Sequence, residues 1–84
     1  MQLDILSPEK KIFSGTADGV QMPGTTGSFE VLNNHAPMIA SLGKGRLRVQ
    51  IGSESKIYQI TGGFVEVLNN KVSVLVEGAK EEGK

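Results

Sequence analysis

Apolar and polar residues alternate along most of this chain, in runs too short for helices. "RLRVQI" at 46–51 is the clearest: Leu47, Val49 and Ile51 fall on one side, Arg46, Arg48 and Gln50 on the other. That is the period of a half-buried strand. "LDIL" at 3–6 reads as a first strand closed by Pro8, and "KKIFSGTADGVQM" as one or two strands bent at Gly15 and Gly19, where a bulge would relieve the pleat. "PGTTG" is a turn leading into the strand "SFEVL"; after "RLRVQI" come the turn "GSES" and the strand "KIYQIT". Short β-branched runs punctuated by turns every eight to twelve residues predict an all-β sandwich or barrel. No amphipathic helix emerges, and the charged, Gly-containing end at 79–84 predicts a fraying tail beyond a domain of residues 1–78.

"GFVEVL" and "KVSVLV" flank Asn69-Asn70, and a two-residue Asn-Asn loop suits a type I′ turn because Asn tolerates positive φ. The register follows: Leu68 opposite Lys71, Val67 opposite Val72, Glu66 opposite Ser73, Val65 opposite Val74, Phe64 opposite Leu75. Val65, Val67, Val72, Val74 and Val76 then share a core face, while Phe64, Glu66, Leu68, Lys71, Ser73 and Leu75 share one that is partly wet or docked on something. "EVLNN" occurs at both 30–34 and 66–70. The match stops after residue 34, too soon for a structural repeat. Two strands each end in an Asn-rich turn, and only the first runs on into "HAP".

With 84 residues the chain makes one small domain, with little room for a deep active site. The 9 basic and 9 acidic residues cancel, which removes the electrostatic footprint of a nucleic-acid binder. Lys44, Arg46 and Arg48 alternate along one strand and read as a solvated face. The absence of cysteine excludes disulfides, thiolate chemistry and Cys-ligated metal. No apolar segment is long enough to span a bilayer and no secretory signal opens the sequence, so the domain is expected to be soluble and to meet a membrane only through a partner.

His35 is the single histidine, set between Asn33-Asn34 and Ala36-Pro37. A catalytic triad would need a serine in a nucleophile elbow, and none is present. A metal site would have to be all-oxygen, and the acids are scattered along the chain. "GTTG" lacks the spacing of a phosphate loop, and no helix follows it. Pro37 and its effect on Ala36 hold "HAPMI" near-extended. Turn stiffening and partner contact both remain open for His35. A reading of another class comes from Glu54-Ser55-Lys56-Ile57, which is similar to the motifs around the lipoyl- or biotinyl-lysine of small β carrier domains; it leaves "NNHAP" without a role.

The order of "LDILSPEKKIFSG" (3–15), "GTTGSFEVLNNHAPMIASLGKGRLRV" (24–49) and "GGFVEVLNNKVSVLVE" (62–77) resembles the N-terminal domain of the epsilon subunit of F-type ATP synthases, called delta in mitochondria. The resemblance spans nearly the whole chain. It implies a flattened β-sandwich of about ten short strands and a non-catalytic place in the central stalk. There the domain would join the gamma subunit to the membrane c-ring and couple proton- or sodium-driven rotation to ATP synthesis, with no cofactor. The implied location is peripheral, on the cytoplasmic face of a bacterial inner membrane, since no transit peptide is seen.

By the same resemblance Ser7 and His35 meet gamma, with Ala36, Pro37 and Met38 adding contact on that side. Gly24, Thr25, Thr26, Gly27, Ser28 and Phe29 approach the c-ring. The family often has an acidic or small polar residue and then Leu-Gly-Ile after that turn; here "SFEVL" stands instead, with Glu30 supplying a charge two residues after Ser28. Many members continue into a C-terminal helical hairpin that inhibits hydrolysis and in some binds ATP. The sequence stops at Lys84, so neither property is assigned to these residues.

Overall fold

A computed structural model describes residues 1–82, and they contain ten strands and no helix. In chain order these are β1 (Gln2–Leu6), β2 (Lys11–Thr16), β3 (Gly19–Gly24), β4 (Gly27–Leu32), β5 (Met38–Leu42), β6 (Gly45–Ile51), β7 (Glu54–Ile60), β8 (Gly63–Leu68), β9 (Lys71–Val76) and β10 (Ala79–Glu81). Hydrogen bonding links β4–β3–β6–β7–β10 into one half and β5–β8–β9–β1–β2 into the other. A single pairing, Gly24 with Leu42, joins them. Every pair is antiparallel except β1 with β9. The body measures 27 × 27 × 24 Å.

Both halves contribute to one core. Leu3, Ile5, Val65, Val67, Val72 and Val74 face inward from one side; Val20, Met22, Val31, Leu47, Val49 and Ile60 face them from the other. Along most of their strands those side chains alternate with exposed or half-buried ones, so the pleat sorts core from surface. The β8–β9 hairpin has the register read from the sequence, from Phe64–Leu75 to Leu68–Lys71. Its two turn residues take φ of 53° at Asn69 and 59° at Asn70, as a type I′ turn requires.

Two expectations are corrected. The irregularity in the first hairpin does not lie at Gly15 or Gly19; it lies where β1 passes from Ile5 to Leu6 while β2 passes from Phe13 to Lys11. Gly15 stays in register with Leu3, and Gly19 opens β3 in register with Leu32, whose exposed side chain packs over it. Nor do the residues after 78 fray at once. Ala79–Glu81 pair with Ile60–Tyr58, the Glu82 amide donates to the Ile57 carbonyl at 2.8 Å, and Arg46 forms an ion pair with Glu82 at 3.3 Å. A charged segment can serve as an edge strand because backbone groups make the pairing and solvated charges protect the outer edge. Residues 83 and 84 lie outside the described residues.

Candidate functional site

The two outer faces differ in character. On the β4–β3–β6–β7–β10 side the register aligns Glu30, Gln21 and Arg48, while Arg46 and Gln59 both donate to the Glu82 carboxylate. On the β5–β8–β9–β1–β2 side lie four of the five large apolar side chains that remain exposed: Ile39 at 74%, Leu68 at 49%, Phe64 at 47% and Leu75 at 39%. Phe64, Leu75 and Leu6 form one cross-strand row; Ile39, Glu66, Ser73, Asp4 and Ser14 form the next. At its far end a shallow groove brings Pro8 beside Phe64, Leu75 and Glu77. In the polar row the Ser14 hydroxyl donates to Asp4 Oδ1 at 2.6 Å, and this bond holds the Asp4 pKa below its ordinary value against the opposing pull of desolvation, with smaller help from Gln2, Lys71 and Lys11.

His35 closes one end of this face. Its amide donates to the Leu32 carbonyl at 3.3 Å, with Asn34 at φ 62° inside the turn. The Asn34 amide donates to Asn70 Oδ1 at 2.8 Å, so the two Asn pairs of the duplicated "EVLNN" meet in space. Asn33 Oδ1 accepts from the Met1 amine at 2.5 Å. Half-buried, the His35 ring lies with Nδ1 2.7 Å from the Ala36 carbonyl, a contact that requires the proton on Nδ1. No other side chain engages it, which leaves Nε2 without a protein partner among the described residues.

Ser7 stands at the opposite end, just past β1, where its amide and hydroxyl both donate to the Lys10 carbonyl. Leu6 pairs with Leu75 and the His35 turn touches Asn70. About five residues of strand separate those levels, or roughly 17 Å. Ser7 and His35 therefore bracket the apolar face and do not touch. Ala36 and Pro37 are exposed beside His35, but Met38 turns inward: it pairs with buried Val67 and packs against the core. The outward apolar residue of this segment is its neighbour Ile39. Phe64, Leu68 and Leu75 also belong to the face; the hairpin register had placed them on one side, without showing that Ile39 joins them.

At the β3–β4 turn, Thr25, Thr26, Gly27 and Ser28 are exposed, and the Thr25 amide donates to the Ser41 carbonyl at 3.1 Å. Phe29 is half-buried and packs against the core, its ring lying over Gly24, where a Cβ would fall 2.9 Å from Phe29 Cε1. Phe29 thus shapes the turn from inside. Lys56 lies within β7 opposite Val49, past the turn at Gly52 and Ser53, and not at a hairpin tip. Among the described residues no three His, Asp or Glu side chains come together in a way that could hold a metal ion.

The profile of the family described as ATP synthase, Delta/Epsilon chain, beta-sandwich domain matches residues 1–82. The chain belongs to this family. It is 40% identical over 83 residues to the ATP synthase epsilon chain of Leptospira interrogans, covering 98% of this chain and 65% of that one. It is also 40% identical over 81 residues to the epsilon chain of Caulobacter vibrioides, covering 96% and 94%. The chain thus spans a little under two thirds of the Leptospira relative and nearly all of the Caulobacter one. Among solved structures, a chain of the Tetrahymena thermophila mitochondrial ATP synthase central stalk and c-ring superposes with a TM-score of 0.83 at 20% identity, over 94% of this chain and 64% of that one. A chain of the Euglena gracilis mitochondrial ATP synthase OSCP/F1/c-ring assembly superposes with a TM-score of 0.89 at 23% identity, over 94% and 51%. These likenesses show the shared sandwich fold.

Proposed function

We propose that this domain is a non-catalytic rotor element of an F-type ATP synthase. Its β5–β8–β9–β1–β2 outer face packs on the gamma subunit, and the exposed turn at residues 24–28 meets the c-ring. Ion-driven rotation of the ring would then reach the catalytic head through a stiff β body. The observation that carries the reading is the outer face bounded by Ser7 and His35, which gathers four exposed large apolar side chains around a polar row, since such clustered exposure marks a protein-binding surface. The central-stalk and c-ring assemblies named for the structural neighbours support membership of such a complex. His35 engages only backbone through Nδ1, a presenting arrangement and not a nucleophile–base pair. No helix among the described residues is long and apolar enough to cross a membrane. In a bacterium the proposed position is peripheral, on the cytoplasmic side of the c-ring.

Calorimetric titration with purified gamma subunit tests the reading. One-to-one binding is expected, weakened tenfold or more by Ile39→Asp and by His35→Glu with the urea midpoint unchanged. A folded wild-type domain that does not bind gamma would overturn it.

A further inference from the structure

Glu66 occupies the middle of the apolar face. Its own strand places Phe64 on one side and Leu68 on the other, about 7 Å away along the pleat. Across β5 it is in register with Ile39, and across β9 with Ser73, at Cβ separations of about 5 Å. The other carboxylate of the row, Asp4, already has the Ser14 hydroxyl. Glu66 has no hydrogen bond or ion pair among the described residues; the one ion pair there, Arg46–Glu82, is on the opposite outer face. Lys71 is the cation nearest by register, opposite Leu68 and one pleat from Glu66, yet it makes no ion pair with it.

A partner that covers Ile39, Phe64 and Leu68 must also cover Glu66. A carboxylate at the rim of an interface keeps its water, but one ringed by apolar contacts loses it, and an unpaired buried charge opposes binding strongly. A cation delivered by the partner turns that penalty into recognition and rejects surfaces that lack it.

We propose that Glu66 is the specificity-determining charge of this face, taking an arginine or lysine that the gamma subunit presents between apolar side chains. This rests on the gamma-docking reading above. Arginine fits best, because its planar fork can bind a carboxylate in a bidentate way while its aliphatic stem lies on Phe64 or Leu68.

Titration of purified gamma with wild type, Glu66→Gln, Glu66→Lys, Lys71→Gln and Ile39→Asp separates the outcomes. Urea midpoints should be alike for the Glu66 and Lys71 variants, since the free domain makes no ion pair at either. Gamma affinity should fall about tenfold in Glu66→Gln and about a hundredfold in Glu66→Lys, while Lys71→Gln binds as wild type does. If both Glu66 variants bind like wild type while Ile39→Asp is weakened, the face is right and the Glu66 assignment is overturned. If Lys71→Gln weakens binding as much as Glu66→Gln, the countercharge is internal, which also overturns it. If wild type does not bind, or Ile39→Asp has no effect, the docking reading fails and Glu66 falls with it.

Discussion

Gly63 begins β8, immediately before Phe64, and the backbone leaves it no room for a side chain. Its φ is 150°, and a Cβ would lie 2.0 Å from the Leu75 carbonyl oxygen and 2.9 Å from both the Leu75 carbonyl carbon and Val76 Cα. All three are backbone atoms, so no rotamer change relieves Gly63→Ala. Either β9 moves by more than about 1 Å or the Gly63–Val76 and Gly63–Leu42 pairings open. Positive-φ strain of about 1–3 kcal/mol adds to lost ladder bonds of about 1 kcal/mol each, for roughly 3–5 kcal/mol. A domain of 84 residues has a total stability of about 4–12 kcal/mol. Gly63→Ala should therefore remove about a quarter or more of the folded state's margin. Gly27→Ala is the control: its φ is 138° but nothing lies within 4 Å of the added Cβ, so strain alone remains. Urea unfolding followed by circular dichroism reads both. With a slope of about 1 kcal/mol per molar for a small domain, the Gly63→Ala midpoint should fall by about 3 M or more. A Gly63→Ala midpoint within about 1 M of wild type, or a larger loss in Gly27→Ala, would refute the steric argument.

Asn70→Gly keeps a residue at ease at φ 59° but removes the oxygen that accepts from the Asn34 amide; amide exchange at Asn34 should accelerate and gamma binding weaken, whereas Asn70→Asp, which retains an acceptor, should restore both. Met38→Asp should lower stability by about 2 kcal/mol or more because Met38 packs on the core, while Ile39→Asp should leave stability, read by urea unfolding, within about 0.5 kcal/mol of wild type. Ser14→Ala removes the bond that depresses the Asp4 pKa below 3.8, so the variant should be less stable at neutral pH. The unfolded Asp4 takes up its proton first as pH falls below about 3.8, and the difference should vanish once pH passes below the folded value; a pH-independent difference in urea titrations would exclude the linkage.

Local chemistry made much of this protein legible. The alternation in "RLRVQI" and the Asn69-Asn70 turn specify strands and a register through nearest-neighbour geometry, so the β8–β9 hairpin and its valine face could be read directly. Pairing between distant segments could not. Nothing in "LDIL" says that β1 lies parallel to β9 and antiparallel to β2, because backbone hydrogen bonds carry no sequence label. The run Met38-Ile39-Ala40 is apolar throughout and hides its own phase; only pairing with buried Val67 turns Met38 in and leaves Ile39 out. The duplicated "EVLNN" is likewise not a repeat but two turns that tertiary packing brings together, so that Asn70 caps Asn34. The tail reads as polar and loose because a strand held by backbone pairing at a sheet edge needs no apolar pattern. Sequence alone determined the strands, the turns and which side of the last hairpin is core, since these depend on residues close along the chain. Tertiary structure decided the strand order, the edge strand β10 and the outer face that gathers Ile39, Phe64 and Leu68 around Glu66, since these depend on which strands lie side by side.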